Sequence, residues 1–351
     1  MVTEDEAMCR AVALAARGLG TTSPNPVVGC VLLDQAGDVV GEGFHAYAGG
    51  PHAEIVALAQ AGERARGGTA VVTLEPCDHV GRTAPCSGAL IAAGIRRVVV
   101  AVDDPTPTAG GGNRTLRAAG VDVATGLRHA EAEAGNIAWL TSVQRARPYL
   151  TWKFAATLDG RSAAADGSSM WITSEPARTD VHALRGTVDA IIAGVGTVLA
   201  DDPHLTVRNL RDGSLAIRQP VRVVVDSSGR TPGSARVCDG AAPTWIATTA
   251  EVGSGPDGRT DLSALLAALY ERGVRAALLE GGPTLAGSFV AAGLVDRVVG
   301  YDAPKLLGAG AAALGDAGVP TIDEAIDLEF TDITQVGPDL RFTASLRHKG
   351  A

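Results

Sequence analysis

The chain has 351 residues, enough for two domains, because single hydrophobic cores usually stop growing at about 250–300 residues. Hydrophobic residues make up 46% and charged residues 20%, which excludes a disordered chain and indicates an α/β protein. The formal net charge of -9 argues against a polymeric nucleic acid substrate, and no apolar run reaches the about 18 residues needed to cross a bilayer.

The first part of the chain alternates predicted helices and strands. In chain order we predict a helix at 4–19, a hairpin of strands at 27–33 and 39–43, a helix at 52–61, a strand at 70–74, a helix at 87–93 and a strand at 97–102. Residues 110–143 follow with a helical pattern, and the polar residues 144–147 are predicted to be a linker.

Three ligand-type residues fall at the ends of these elements. His52 and Glu54 open one predicted helix, Cys77 follows a strand, and Cys86 opens the next helix. Because such ends meet at one edge of a sheet, we expect an imidazole and two thiolates to form a metal site with an open fourth position. A glutamate beside it suits proton transfer, and this combination is typical of a zinc deaminase.

The spacing of the two cysteines differs from the short C-x-x-C of nucleic-acid deaminases. Eight residues separate Cys77 from Cys86, and they include Arg82, a cation beside the predicted site. His79 is an alternative fourth ligand, which would make the zinc site structural and the protein catalytically silent. Another alternative is a nucleoside or tRNA deaminase with a non-catalytic second domain.

The five cysteines are an odd and sparse set, and no secretory signal precedes them. This pattern predicts a reducing, cytoplasmic location. We expect Cys9, Cys30 and Cys238 to be small buried hydrophobic residues.

The second part of the chain also has an α/β pattern. We predict strands at 149–156, 189–194, 221–226 and 276–280, with Lys153 on the first of them. Gly281 and Gly282 form a strand-to-helix turn, where backbone N–H groups can approach a phosphate. No G-x-G-x-x-G fingerprint is present, so a standard Rossmann domain is not indicated.

Several motifs resemble one enzyme family, the bifunctional riboflavin-biosynthesis deaminase/reductases. In the first part these are NPVVG at 25–29, HAE at 52–54 and EPC at 75–77, continued by GRTAPC at 81–86. In the second part they are KFAATLDGR at 153–161, SSMWITS at 168–174, GTVLADDPHLTVR at 196–208 and EGGPTLAG at 280–287. The resemblance implies a cytidine-deaminase-like α/β/α domain at 1–146 and a dihydrofolate-reductase-like α/β domain at 147–351.

The resemblance also implies the chemistry. The family removes the ring amine of 2,5-diamino-6-ribosylamino-pyrimidinone 5'-phosphate and then reduces the ribosyl chain to ribityl with NADPH. We therefore expect one Zn²⁺ per chain, NADPH, a small phosphorylated pyrimidine as substrate, no nucleic acid or membrane partner, and a homodimer or homotetramer.

Taken residue by residue, the family pattern assigns roles in both domains. The implied zinc ligands are His52, Cys77 and Cys86, with Glu54 as proton shuttle. The implied substrate contacts of the deaminase are Asn25, His45 and Arg82, the last on the phosphate. The implied NADPH contacts are Ala155, Trp171, Thr197, Asp201, Ser227, Gly282, Pro283, Thr284, Leu285, Ala286, Gly287 and Ser288. The implied substrate contacts of the reductase are Lys153, Ser169, Arg185, Leu205, Arg208 and Glu280.

Two positions depart from the family pattern. Thr106 stands between two prolines where the family usually has Asn, so an amide is lost there. Met170 replaces a polar residue before Trp171, and we expect little consequence.

Lys153 is the candidate proton donor of the reductive step.

Overall fold

The computed structural model describes residues 1–79 and 85–346, and in it the chain divides into two units, Met1–Ala146 and Arg147–Ala351. The helices of the first unit are α1 (Glu4–Ala16), α2 (Ala53–Ala61), α3 (Cys86–Ala92), α4 (Gly112–Ala118) and α5 (His129–Arg145). Its strands are β1 (Gly29–Leu33), β2 (Val39–Phe44), β3 (Thr69–Leu74), β4 (Arg97–Val102) and β5 (Asp122–Thr125).

These strands form one sheet covered by helices on both faces. The described strands pair in the order β2-β1-β3-β4-β5, with β1 antiparallel to both neighbours and β3, β4 and β5 parallel. One apolar core joins the sheet to α2, α3 and α4, and a second joins it to α1 and α5. The result is an α/β/α sandwich, in which the carboxyl ends of the parallel strands meet at one edge.

Two glycines let helix α2 lie unusually close to the sheet. A Cβ atom at Gly43 would overlap the carbonyl oxygen of Ala53, and one at Gly41 would overlap that of Ala57. Both glycines are on β2, two residues apart, so they face the same side of the sheet. Their close packing fixes the position of the first turn of α2, whose N-cap residue is His52.

The second unit is built on a larger sheet. Its helices are α6 (Glu175–Gly186), α7 (Val195–Asp201), α8 (Thr249–Val252), α9 (Leu262–Glu271) and α10 (Pro283–Ala291). Its strands are β6 (Tyr149–Thr157), β7 (Ala190–Gly194), β8 (Val221–Val225), β9 (Thr244–Ala247), β10 (Ala276–Leu279), β11 (Arg297–Ala303), β12 (Leu328–Val336) and β13 (Asp339–Leu346).

The described strands of this sheet pair in the order β12-β13-β11-β6-β10-β7-β8-β9. The six strands from β11 to β9 are parallel, whereas β13 and β12 form an antiparallel hairpin at one edge. Residues of α9 and α10 pack against one set of strand residues of this sheet. Residues of α6 and α7 form apolar clusters with a different set of its strand residues. The carboxyl ends of β6, β10, β7 and β8 therefore lie side by side, where ligands bind in open α/β sheets.

Three expectations about local structure were wrong. The continuous helical pattern over 110–143 is interrupted by the edge strand β5, none of whose residues is fully buried and which shows no apolar alternation. Helix α5 continues through Arg145 into the predicted linker. Cys9 and Cys238 are exposed, and only Cys30 is buried as expected.

None of the described cysteines forms a disulfide. Among the helices of the described ranges, none has both the length and the apolar character to cross a membrane.

Candidate functional site

The first unit brings His52, Cys77 and Cys86 together, with their ligand atoms all within 4.8 Å of one another. Nδ1 of His52 lies 3.2 Å from Sγ of Cys86 and 3.5 Å from Sγ of Cys77. In a tetrahedral zinc site with ordinary bond lengths, a ligand nitrogen and a ligand sulfur are about 3.5 Å apart. The three side chains therefore have the donor types and the spacing that Zn²⁺ requires.

The ends of two helices and one strand position these ligands. His52 is the N-cap of α2, Cys86 is the first residue of α3, and Cys77 follows β3. The backbone N–H of Cys86 points to Sγ of Cys77 at 3.5 Å. Hydrogen bonds from Cys86 and His52, together with the His52 charge, lower the pKa of Cys77 to about 4, which favours the thiolate that binds metal. The hydrogen bond between the two cysteine side chains raises the pKa of Cys86.

The alternative ligand His79 does not join this cluster. Its side chain is exposed, and the group of metal-type ligands found in the described ranges contains only the three residues above. These residues leave a fourth position open, as a catalytic zinc site requires.

Glu54 lies in the first turn of α2, two residues after His52, and is 3% exposed. Burial raises the pKa of this carboxyl to about 7. A carboxyl group with a pKa near neutrality can both accept and donate a proton, which is the property of a general acid and base.

Asn25 and His45 form a fixed pair beside the metal-type cluster. Nδ1 of His45 lies 3.0 Å from the carbonyl oxygen of Pro51, so this nitrogen is the donor. Nε2 then accepts from the amide of Asn25 at 3.1 Å. The His45 ring also packs edge-on against His52, with 5.4 Å between the ring centroids. Burial lowers the pKa of His45, which keeps the imidazole neutral.

Glu75 has a role that the sequence did not predict. It is buried, and its carboxylate accepts hydrogen bonds from the backbone N–H groups of Asp104, Gly111 and Asn113 at 2.9–3.1 Å. The EPC motif contained this residue but gave no sign of its partners. Glu75 thus ties the loop before α4 to the segment that carries Cys77.

Thr106 lies in that loop, at the position where the family usually has Asn. Its hydroxyl donates to Oδ1 of Asp104 at 2.6 Å, and its backbone N–H donates to the same oxygen at 2.8 Å. The side chain is thereby engaged within the loop. Arg82, the predicted phosphate contact, lies outside the described residues.

The second unit has a cavity of about 1210 Å³ at the carboxyl ends of its parallel strands. It extends from Lys153 on β6, past Glu280 and Gly282 after β10 and Thr197 after β7, to Arg230 after β8. This volume exceeds that of ordinary small-molecule pockets and can hold a dinucleotide together with a second ligand.

A buried ion-pair group lies at the β6 end of the cavity. The guanidinium of Arg185 donates to both carboxylate oxygens of Glu280, at 2.6 and 3.0 Å, and Nζ of Lys153 is 3.8 Å from Oε2. Burial alone would raise the pKa of Glu280, but the charges of Arg185 and Lys153 outweigh it and hold the pKa at about 2. Glu280 is therefore ionised, and burial lowers the pKa of Lys153.

Most of the predicted NADPH contacts line this cavity. The described lining residues include Ala155, Thr197, Asp201, Ser227, Gly282, Pro283, Thr284, Leu285 and Ser288. Ala286 and Gly287 are not among the described lining residues: Ala286 packs in the apolar core, and Gly287 lies against the backbone of Asp316. Trp171 is not among the described lining residues either: the residue is 62% exposed, and the guanidinium of Arg178 lies 4.4 Å from the centroid of its ring.

The hydroxyl of Ser227 is already engaged. It accepts from the backbone N–H of Thr260 at 3.0 Å and lies 3.2 Å from the Thr260 hydroxyl. Ser227 therefore ties the loop before Thr260 to the turn after β8, in addition to lining the cavity.

The predicted substrate contacts of the second unit are more dispersed. Lys153, Ser169 and Glu280 line the cavity, and the Ser169 hydroxyl donates to Asp201 at 3.4 Å. Arg185 is committed to Glu280 and to the carbonyl oxygen of Thr206.

Leu205 and Arg208 belong to the segment that follows α7. The side chain of Leu205 packs in an apolar core, and its backbone is held at a φ of 49°. Arg208 is not among the described residues that line the cavity, and its guanidinium has no hydrogen-bond or ion-pair partner within the part of the chain that the structure describes.

Two family models match the chain. The cytidine and deoxycytidylate deaminase zinc-binding region matches residues 1–102, and the RibD C-terminal domain matches residues 148–342.

Curated relatives match along almost the whole length. The riboflavin biosynthesis protein RibD of Mycobacterium tuberculosis (strain H37Rv) is 48% identical over 96% of this chain and 95% of its own. The protein of the same name from Escherichia coli (strain K12) is 46% identical over 95% of this chain and 96% of its own.

Solved structures agree with these matches. Acinetobacter baumannii RibD superposes with a TM-score of 0.88 at 37% identity, covering 98% of this chain and 99% of its own. A diaminohydroxyphosphoribosylaminopyrimidine deaminase/5-amino-6-(5-phosphoribosylamino)uracil reductase from Thermotoga maritima gives the same score and the same coverage at 35% identity.

Proposed function

The chain belongs to the RibD family of bifunctional riboflavin-biosynthesis deaminase/reductases, and from this premise we propose how its residues carry out the two reactions. The predicted fold class, the two enzymatic activities and the two cofactors, zinc and NADPH, are confirmed by this membership. We assign the deaminase to residues 1–146 and the reductase to residues 147–351. The substrate that we propose is 2,5-diamino-6-(5-phosphoribosylamino)pyrimidin-4(3H)-one, which agrees with the reaction in the name of the Thermotoga relative.

In the first unit, we assign zinc binding to His52, Cys77 and Cys86. When bound, zinc supplies the Lewis acidity that makes water nucleophilic near neutral pH. In this proposal, the carboxylate of Glu54 takes a proton from the water molecule that adds to the ring carbon bearing the amine. Glu54 then gives a proton to the departing amine, so one water is consumed and one ammonia is released.

The Asn25 and His45 pair orients the pyrimidine in this proposal. His45 is held neutral between Pro51 and Asn25, so the pair presents fixed hydrogen-bonding groups next to the metal ligands. Arg82 would hold the substrate phosphate, as the family pattern implies. Binding energy from the phosphate then helps to orient the reacting ring.

In the second unit, NADPH supplies the hydride that reduces the ribosyl chain. We propose that the cofactor lies across the carboxyl ends of β6, β10, β7 and β8. Three spacings between neighbouring strands, each about 4.8 Å, give about 14 Å, which is the scale of an extended dinucleotide. The N-terminus of α10, with Gly282 as its N-cap, lies between the two ends and suits the pyrophosphate.

The β8 end of the cavity supports a preference for NADPH over NADH. Ser228, Arg230 and Arg259 line this end. Arg230 is exposed, and its guanidinium has no partner among the residues that the structure describes. Arg259 has only a loose, exposed ion pair with Asp257, at 3.8 Å. We propose that these two guanidinium groups bind the 2'-phosphate, because a guanidinium forks onto phosphate oxygens.

At the β6 end of the cavity, Lys153 and Glu280 face the substrate in this proposal. We assign the substrate phosphate to Arg208, as the family pattern implies. Arg185 cannot serve as a freely available phosphate ligand, because its guanidinium already holds Glu280. Its role in this proposal is to orient that carboxylate. Lys153 remains the candidate proton donor.

We also propose a homo-oligomer, a dimer or a tetramer, in the cytoplasm. Strand β12 is an edge strand, and it exposes Phe330 and Ile333 at 60% and 57%. Unpaired backbone and apolar side chains on an edge strand favour pairing with a second copy. Cysteines without disulfides agree with a reducing compartment.

The observation that carries the proposal is the combination of the three-ligand cluster in one unit with the buried Lys153 and Glu280 group in the other. The experiment is a coupled assay of the purified zinc protein with the diamino substrate and NADPH. Release of ammonia together with loss of the nicotinamide absorbance is expected. Ammonia release without NADPH oxidation would instead support the alternative of a deaminase with a non-catalytic second domain.

A further inference from the structure

Lys153 is a buried cation that shares its carboxylate partner, Glu280, with Arg185. Its side chain is 15% exposed, and Nζ lies 3.8 Å from Oε2 of Glu280, too far for a hydrogen bond. Arg185 takes both oxygens of that carboxylate at 2.6 and 3.0 Å. The ion pair with Glu280 therefore does not fix the direction of the Lys153 ammonium group.

A second group faces the same ammonium. Nζ of Lys153 lies 5.9 Å from the centroid of the Tyr301 ring, on its face. In the sheet, Val299 of β11 pairs with Lys153 of β6, and Tyr301 is two residues further along β11. The two side chains are thus diagonal neighbours on one face of the sheet, which is within reach of an aromatic side chain.

The Tyr301 ring is held firmly from its far end. Tyr301 is 1% exposed, and its hydroxyl donates to Oδ2 of Asp180 at 2.7 Å. Arg341 donates to the same carboxylate at 3.0 and 3.2 Å. Asp180 therefore has its charge balanced by Arg341 and keeps the phenol in one orientation.

One helix fixes both neighbours of Lys153. Asp180 and Arg185 both lie on α6; the first holds the Tyr301 ring, and the second holds Glu280. Tyr301 is not among the described residues that line the cavity, so it acts on the reaction indirectly, and Lys153 is the lining residue that its ring faces.

We propose that Tyr301 is a positioning residue of the reductase site, whose ring face holds the Lys153 ammonium in place while Asp180 and Arg341 fix the ring. This inference rests on the proposed reductase function of the second unit. A cation held over an aromatic face is stabilised most where water is excluded, which describes this buried position. The ring therefore fixes the direction of the ammonium group and favours its charged form over neutral lysine.

The test compares Tyr301→Met with Tyr301→Phe. Methionine fills a similar space but lacks the aromatic face, whereas phenylalanine keeps the ring and loses only the hydroxyl. We expect Tyr301→Met to lower the reductase kcat about tenfold with little change in the Kd of NADPH, measured by its fluorescence. Tyr301→Phe should restore kcat to within about threefold of the unsubstituted protein, because the ring face remains.

The pH profile distinguishes positioning from a general loss of structure. Loss of the ring favours neutral Lys153, so the alkaline limb of the reductase profile should move to lower pH in Tyr301→Met and stay in place in Tyr301→Phe. Among the ionisable groups beside Lys153, the pKa of Glu280 is about 2, that of His182 is lowered to about 4 by burial, that of Arg185 is raised, and that of Tyr301 is raised by burial. The pKa values of these four groups therefore lie away from the alkaline limb.

Several results would overturn the inference. These are an unchanged kcat in Tyr301→Met, an equal loss in both variants, or a loss of activity with no movement of the alkaline limb. If Tyr301→Met does not fold, a shifted limb in Tyr301→Phe still overturns it. Ammonia release should stay unchanged in both variants. Failure of the proposed function itself is separate, since the unsubstituted protein would then oxidise no NADPH.

Discussion

Sγ of Cys86 lies 3.2 Å from Nδ1 of His52, although 34 positions separate the two residues in the chain. They meet because α2 and α3 both begin at the carboxyl edge of the same sheet. Since Cys77 joins them after β3, the cluster has two thiols and one imidazole, the ligand set of a catalytic zinc site with one open position.

Replacing either thiol of this cluster should release the metal. We expect Cys77→Ser and Cys86→Ser each to lose about one equivalent of zinc per chain, measured by elemental analysis of purified protein. Cys238→Ser is the matched control, because that cysteine is exposed and lies in the other unit. An unchanged zinc content in both cluster variants would contradict the ligand assignment.

The close packing of β2 against α2 should be required for metal binding. In Gly43→Ala the new methyl group overlaps the carbonyl oxygen of Ala53 and displaces the turn that carries His52. We expect a loss of about 1–3 kcal/mol in the free energy of unfolding, together with weaker zinc retention during dialysis against a chelator.

The control for this substitution is Gly88→Ala in α3, where a Cβ atom meets nothing within 4 Å. That change should stabilise the helix by about 0.5–1 kcal/mol and leave zinc in place. Equal zinc retention in Gly43→Ala and Gly88→Ala would show that the position of α2 does not matter for the site.

Glu280 should be important for the stability of the second unit. Glu280→Gln leaves the buried cations of Arg185 and Lys153 without a counter-charge, and we expect a loss of about 3–5 kcal/mol in denaturant unfolding. The exposed Glu271→Gln is the control, with an expected change of less than about 0.5 kcal/mol.

The pH dependence of stability gives a second check on Glu280. Its pKa in the folded protein is about 2, below the ordinary value of 4.5, so its contribution is fully present above about pH 4.5. That contribution is lost as the pH falls towards 2. The acid limb of the stability curve should therefore be shallower in Glu280→Gln, and an unchanged limb would contradict the ion-pair account.

Arg230 should discriminate between the two nicotinamide cofactors. We expect Arg230→Ala to raise the Kd of NADPH about tenfold and to leave the Kd of NADH almost unchanged, because only NADPH carries the 2'-phosphate. Arg211→Ala, an exposed arginine outside the cavity lining, is the control for net charge. Equal weakening of both cofactors would place the 2'-phosphate elsewhere.

The sequence was most informative where function depends on the ends of regular elements. His52, Cys77 and Cys86 were predicted to converge because helix starts and strand ends meet at a sheet edge, and the structure brings them together. The edge strand β5 was missed because its residues lack apolar alternation. Short exposed strands are paired by tertiary contacts rather than by local preference.

Hydrogen bonds and ion pairs between side chains that are far apart in the chain could not be predicted from the sequence. Arg185 and Glu280 are 95 positions apart, and only the folded sheet shows that they bind each other. The same holds for Tyr301 and Asp180, 121 positions apart. The sequence around an arginine or a tyrosine does not indicate which residue its side chain will bind. The roles of Arg185 and Tyr301 therefore follow from the three-dimensional arrangement alone.

The central claim is that one chain has two separate active sites, and Glu54→Gln tests it most directly. The variant should retain one zinc per chain, release no measurable ammonia from the diamino substrate, and still oxidise NADPH at the normal rate when given substrate that is already deaminated. If Glu54→Gln lost both NADPH oxidation and ammonia release while zinc and folding stayed intact, the two sites would not be separate.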